Sequence, residues 1–471
     1  MSKREQLRVL VAGASIAGPT AAYWLANAGA RVTIVERFPH LRTNGQNVDI
    51  RTVGVSVMRK MPGFEAAVRA KTVPMDGISF VDAHGRPYAT IGASGNPDQQ
   101  SLVSEYEILR GDLARILFDM TEPNPNITYV FGEQIASLSP TFPPSLSISD
   151  TAAASGPVTV KFANGRLPTQ EYDLVVAADG AGSRTRALAL GCSPRDHTRS
   201  LHAWAAYFRI PRDLLAGSRT ARAFNAPGGL FVALGPHPQP DTTQVTILRR
   251  YPAPGKARGN NTPDDDNNHN NPMRPFREAQ RQGDAALRAF VAAQLPSASG
   301  PDDPAWKCPE IASELLAGAP DLYASEMARV RAPALALARG RVALVGDAGY
   351  ASGATGMGTS LALAGAYVLA GEVARRAGAG AGEGEGEGAV DVEAALRAYE
   401  EVMWRLVAEN HREPKLVHDL LMPQTALGLR LRNRMLSFLS RSGLLGLGRI
   451  LSAGAFKNGE EAALPDYEWV L

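Results

Sequence analysis

Apolar positions near the start of the chain fall into short unbroken runs. Val9-Leu10-Val11-Ala12 is one, followed at once by Gly13-Ala14-Ser15-Ile16-Ala17-Gly18; a second, Val32-Thr33-Ile34-Val35, ends on Glu36. Runs of this length bounded by glycines read as buried strands, and the segment between them reads as a helix. A polar, glycine-containing patch, Arg42-Thr43-Asn44-Gly45-Gln46-Asn47, comes next. Gly77-Ile78-Ser79-Phe80-Val81 and the turn Gly85-Arg86-Pro87 predict strands between 76 and 105. Leu109, Leu113, Ile116 and Leu117 recur at helical spacing. Segments 127–130, 158–162 and 173–178 read as strands, as does much of 200–250, chiefly 204–210 and 244–248. A further strand, 341–345, runs into Gly346-Asp347-Ala348, a glycine-rich loop 352–358 and an apolar helix from Ser360 through Leu369; the chain after 395 reads as helical. Segments 255–275, rich in Asn and Asp, and 378–388, an Ala/Gly/Glu repeat, have too few apolar residues to offset ordering entropy and are expected as disordered surface insertions.

Composition narrows the class. The 471 residues are 45% hydrophobic, enough for a large core in two or more lobes. Lys+Arg number 49 against 47 Asp+Glu, a balance that argues against a nucleic-acid binder. Cys192 and Cys308 are the only cysteines and are expected as buried thiols in a reducing, cytoplasmic setting. No HExxH or His/Cys cluster points to a metal, no run reaches the length of a membrane span, and no secretory signal fits before the first strand.

Four motifs carry the candidate chemistry. In the first, Gly13 permits a tight strand-to-helix turn, Gly18 lets the helix approach the sheet, and N–H groups at the helix start face a pyrophosphate. Glu36 would accept from a ribose diol, the layout of a nucleotide-binding βαβ unit. The middle glycine of GxGxxG is Ser15, and Pro19 is tolerated in the first helical turn. The second motif is Asp179-Gly180-Ala181-Gly182-Ser183-Arg184-Thr185-Arg186, which also reads as a polar turn and helix cap. The third is Gly346-Asp347-Ala348 with its glycine loop, which also reads as a turn before a buried helix. The fourth is Arg110 at a helix start, where a salt-bridged arginine is the alternative.

In this order and at these separations the motifs resemble FAD-dependent monooxygenases of the para-hydroxybenzoate hydroxylase fold, the group A flavoprotein monooxygenases, in particular those of secondary metabolism and tetracycline inactivation. The resemblance covers residues 7 to 395 and rests on Gly13 to Gly18 with Glu36, Asn44-Gly45-Gln46-Asn47-Val48-Asp49-Ile50-Arg51, Ile108-Leu109-Arg110-Gly111-Asp112-Leu113, Asp179-Gly180 with Ser183 and Arg186, and Gly346-Asp347-Ala348. It implies an α/β fold: a Rossmann-type FAD-binding lobe (1–75, 106–190, 326–395) interleaved with a mainly antiparallel α+β substrate lobe (76–105, 191–325), plus a helical tail (396–471).

The resemblance further implies that Gly13, Ser15, Gly18, Glu36 and Arg37 hold the ADP half of FAD, with Arg110 beside the pyrophosphate or ribityl chain. Asp347 would bind ribityl hydroxyls, and the backbone of Ala348, after Gly346, the adjacent phosphate. Asp179 would serve FAD and a transient NADPH or NADH, while Arg42 and Gly45 approach the flavin ring. The helix after Gly358 would aim its N-terminus at the flavin's pyrimidine edge. The implied reaction takes O2 up as a C4a-hydroperoxyflavin and hydroxylates or epoxidises an aromatic or polyketide-like small molecule, with no catalytic protein side chain required. Substrate-facing candidates are His202, Trp204, Tyr207 and Arg209, with Tyr207 and Arg209 foremost; sheet packing is the alternative. Departures from the family are Gly349-Tyr350 where Ala-His is frequent, and no Pro or Asn at the usual places in the following loop.

The same fold also serves flavin oxidases and dehydrogenases, and a non-catalytic flavoprotein is a third reading. The chain lacks a second GxGxxG, which disfavours two-dinucleotide-domain oxygenases, and the halogenase Trp-x-Trp-x-Ile-Pro is replaced by Ala206-Tyr207-Phe208-Arg209-Ile210-Pro211. From Leu420 to Gly459 the tail carries several arginines and no acid. Contact with an anionic membrane is one reading of it, and a helix packed on the catalytic body is the favoured one.

Overall fold

The computed structural model describes residues 6–42, 45–93, 104–140, 156–252, 271–297, 306–330, 337–353, 356–379, 390–410, 422–442 and 464–469. The architecture is α/β, with one largely parallel and one largely antiparallel sheet. Val9, Leu10 and Val11 are wholly buried on both sides, as an unbroken apolar run requires of a central parallel strand. The six-stranded sheet runs Ala338–Arg339, Val342–Leu344, Leu174–Ala177, Arg8–Ala12, Arg31–Glu36, Ile127–Phe131. All its pairs are parallel except the first.

Helices Ala17–Asn27 and Gly358–Ala379 lie against this sheet, with Val392–Asn410 behind the second. Leu361, Leu363, Ala364, Val368, Leu369 and Val373 are all buried, so the long helix is enclosed on every side and needs no polar stripe. A three-stranded sheet of Ile135–Ser139, Val158–Phe162 and Gln170–Tyr172 supplies the cluster on the other side of the strands.

The second lobe is a seven-stranded sheet ordered Tyr323–Val330, Thr198–Ile210, Thr243–Arg250, Leu230–Pro236, Thr220–Ala226, Gly77–Val81, Pro87–Gly92. Only Thr220–Ala226 with Gly77–Val81 is parallel. Strand alternation sends Trp204, Ala206, Phe208 and Ile210 to one face, which packs under helices Arg274–Gln282, Asp284–Ala293 and Cys308–Leu316.

Three expectations need correction. The Asn/Asp-rich insertion ends earlier than 275: Asn271 and Met273 are 3% and 0% exposed, because Met273 plugs the second core and Asn271 caps its backbone. Residues 253–270 and 380–389 of the two insertions lie outside the described residues, and Gly378 and Ala379 continue the long helix. The tail is not helical throughout: 464–469 runs without helix, its Tyr467 and Trp469 packed on Tyr367 and its Tyr467 hydroxyl donating to Glu372 at 2.8 Å. Cys192 is half-buried rather than buried, since it follows the exposed helix-ending Gly191; Cys308 is enclosed.

Candidate cofactor and substrate site

The central sheet changes its direction of succession at Arg8–Ala12, with Arg31–Glu36 on one side and Leu174–Ala177 on the other. A crevice opens beyond the carboxyl ends of parallel strands at such a switch point. Gly13 stands there with φ +107°, donating its N–H to the Val35 carbonyl at 2.8 Å. A Cβ on it would meet the Ala178 carbonyl oxygen at 2.5 Å, and one on Gly18 would meet the Gly13 oxygen at 1.9 Å. The Glu36 carboxylate accepts from the N–H groups of Ala14 at 3.0 Å and Phe38 at 3.1 Å. These bonds fix it at the crevice mouth and leave acceptor capacity for a ligand diol.

Gly13, Ser15, Glu36, Arg37, Arg42, Arg110, Asp179 and Thr185 line one cleft, together with Phe38 and Gln134, which the motifs did not single out. Burial and the charge of Arg110 hold the Arg42 guanidinium below its ordinary pKa. Among the described residues neither Arg42 nor Arg110 has a carboxylate within ion-pair distance, and both face a cleft that Arg37 and Arg184 also line. That donor set fits an anion of pyrophosphate type.

Gly18, Gly45, Gly346, Asp347, Ala348 and Gly358 fall outside that lining but adjoin it. Gly45 lies against Arg110: a Cβ there would stand 3.2 Å from the arginine Cβ and Cδ. Asp347 sits in a recess where its carboxylate meets solvent but is walled by protein; this burial raises its pKa and Arg110 opposes the rise. A Cβ on Gly358 would lie 3.5 Å from Asp347 Oδ1 and 3.8 Å from Ser352 Oγ. Ser352 Oγ is buried and has no partner among the described residues. An open carboxylate, an unsatisfied hydroxyl and the first turn of a 22-residue helix thus converge, a set that fits the hydroxylated chain and polar ring edge of FAD.

Asp179 does two things. It lines the cleft, and its oxygens accept from the Ser183 hydroxyl and from the Thr185 N–H at 3.1 Å and hydroxyl at 3.0 Å, capping helix Arg184–Leu190. Arg186, wholly buried, donates to the Ala348 carbonyl at 2.8 Å and the Pro194 carbonyl at 2.7 Å. It straps the second motif to the third, a role its place in the sequence does not disclose.

On the second sheet the alternation that turns Trp204 into the core leaves Tyr207 and Arg209 partly exposed on the opposite face. Trp204 is 0% exposed and stacked on Phe276 at 5.7 Å, so it belongs to the core and not to a substrate surface. His202 leaves the alternation at a bulge between Ser200 and Ala203, with φ +51°. Tyr207, on the opposite face, stacks on Tyr323 at 6.4 Å, and burial pushes its hydroxyl pKa up. Arg209 pairs with Asp321 and donates to Gln239 Oε1 at 2.9 Å.

Arg42 joins the two regions. Its guanidinium lies 5.0 Å from the Phe38 ring centre and 6.0 Å from that of Tyr323. His237, in the turn after Leu230–Pro236, also faces this junction: burial and Arg209 lower its pKa, and Asp112 of the cofactor lobe opposes them. No motif announced it, because only the pairing of distant strands brings it there.

A family model described as "FAD binding domain" matches residues 6–270. The FAD-dependent monooxygenase asL4 of Sarocladium schorii is 31% identical over 99% of both chains. The flavin-dependent monooxygenase eupH of a Phoma species is 31% identical over 90% of both. Among solved structures, the tetracycline destructase Tet(55) superposes with a TM-score of 0.68 at 27% identity, covering 98% of this chain and 99% of its own. The chain belongs to this FAD-binding family and is a FAD-dependent monooxygenase.

Proposed function

We propose that the protein uses NADPH or NADH and O2 to hydroxylate or epoxidise a small aromatic or polyketide-like molecule. Bound FAD supplies the electron transfer and oxygen activation; the chain supplies position, charge and exclusion of water. The observation that carries this reading is the junction at Arg42, where the arginine-lined cleft meets the Tyr207–Tyr323 pair.

In this reading Glu36 and Arg37 hold the adenosine end, helped by Gly13, Ser15 and Gly18. Arg110 and the Ala348 backbone take the phosphates, and Asp347, presented by Gly346, takes the ribityl hydroxyls. Arg42, Gly45 and the helix start at Gly358 surround the ring, and Asp179 serves FAD and the visiting nicotinamide cofactor. Tyr207 lays a flat apolar surface against the substrate, with Arg209 at its edge. Segments 1–75, 106–190 and 326–395 would form the cofactor half, and 76–105 with 191–325 the substrate half.

The relatives' names support the reaction class, and the aromatic pair supports a planar substrate. The test is to purify the protein with its flavin and follow NADPH and NADH consumption in air with a panel of phenolic and polyketide substrates. A substrate that accelerates consumption and yields an oxygenated product is expected. A protein that purifies without flavin and takes up none would overturn the reading.

A further inference from the structure

Helix Ala426–Arg441 is fastened to the body by one face only. Its Arg432, 4% exposed, donates to Asn225 Oδ1 at 2.8 Å and lies 5.6 Å from the Phe80 ring centre. The Thr425 hydroxyl caps its start, and the preceding Gln424 donates to the Arg250 carbonyl at 3.1 Å. The strands it covers, Pro87–Gly92 and Thr220–Ala226, belong to the second sheet, so the helix stands on the outside of the substrate lobe.

What the helix turns outward is apolar. Leu427, Leu431, Met435 and Phe438 are 76%, 70%, 40% and 67% exposed. Their spacing puts all four on one stripe of an α-helix. Arg430, Arg434 and Arg441 are exposed too, and the same geometry sets them in a row beside that stripe. No acid occurs between Leu420 and Gly459. An apolar stripe alone fits many occupants. A stripe bordered by a row of guanidinium groups, with no carboxylate near it in sequence, fits a surface that is oily inside and negative at its face.

We propose that this helix docks the substrate lobe on an anionic phospholipid surface. Leu427, Leu431, Met435 and Phe438 enter the boundary of headgroups and acyl chains, and Arg430, Arg434 and Arg441 pair with lipid phosphates. The face carrying Arg432 stays on the protein, so docking needs no unfolding. No helix among the described residues is long and apolar enough to cross a membrane, so the contact is peripheral. Its use would be to bring the substrate lobe to a lipophilic small molecule dissolved in the membrane. That last step rests on the proposed function; the docking itself does not.

The experiment is co-sedimentation of the full-length flavin-loaded protein with vesicles of phosphatidylcholine alone and of phosphatidylcholine with phosphatidylserine, at low and high salt. The expected result is binding to the anionic vesicles, weakened by salt. Leu431→Ser with Phe438→Ser should weaken it by roughly tenfold or more. Arg430→Gln with Arg434→Gln should remove the preference for anionic lipid. Unchanged flavin content and unchanged melting temperature of these surface variants establish that they fold. No binding at low salt, or binding that the Leu431/Phe438 variant leaves unaltered, would overturn the proposal. So would a concentration-dependent dimer that the same variant abolishes, since a second copy would then be the occupant. Oxygenation of a soluble substrate unaffected by any of these variants separates a failure of docking from a failure of the proposed reaction.

Discussion

Arg110 is the residue on which the cofactor cleft turns: it supports Gly45, faces Arg42 and acts on Asp347. Removing a charge-assisted contact to a phosphate costs about 1.5–3 kcal/mol, so Arg110→Ala should weaken FAD retention roughly ten- to hundredfold in an equilibrium titration. Retention equal to the parent would contradict the assignment. A second residue-scale expectation concerns Glu107, directly across the strand pair from Asp49. Burial, with Asp49 adding to it, pushes its pKa up to about 7, while Asn47, donating at 2.7 Å, and Arg51 pull it down. The folded state therefore holds this proton more tightly than the unfolded chain does. The resulting stability is present in acid and is lost as pH rises towards 7. Glu107→Gln, which cannot ionise, should melt above the parent at about pH 8 and level with it at about pH 4, below the ordinary glutamate value; an equal difference at both would refute the sign. Gly13 and Gly18 were legible in the sequence because a tight turn and a close approach each demand glycine, and Glu36 was legible as the acid that ends the second strand and lines the cleft. The bond from Arg186 to Ala348 and the place of His237 were not, since the groups they meet lie far along the chain.

At the scale of elements, the strand Thr198–Ile210 shows what a period of two can and cannot disclose. The sequence marks it as a strand but not which face is core, so Trp204 stood among the substrate-facing candidates beside Tyr207, although Tyr207 was foremost. The helices that cover one face decide it. Trp204→Ala should cost about 3–5 kcal/mol of stability, read in a denaturant melt. Tyr207→Leu should change stability by less than about 1 kcal/mol and raise KM for the substrate. The opposite pattern would reverse the two faces. The bulge at Ser200–Ala203 was equally invisible, because it depends on the register with Tyr323–Val330. The helix Gly358–Ala379 was plain from its run of leucine and alanine, although its true end lies in a stretch whose composition suggested disorder.

At the scale of the molecule, the interleaving of two lobes was readable from motif order, whereas the return of the chain end to the cofactor lobe was not. Trp469 packs on Trp24 at 4.5 Å, across almost the whole sequence, and Tyr467 on Tyr367 at 5.2 Å. Trp469→Ala should lower stability by about 1–3 kcal/mol, seen as a lower melting temperature with the flavin still bound. No change would mean that the chain end does not hold this place. The two lobes meet at Arg42, and the proposed function puts there the passage of an oxygen atom from O2 to a substrate held against Tyr207. The direct measurement is turnover under oxygen-18 gas in ordinary water, with the product analysed by mass spectrometry. The account predicts one heavy oxygen atom in each product molecule. A substrate that is oxidised without taking up heavy oxygen would contradict it and make the protein an oxidase or dehydrogenase on the same scaffold.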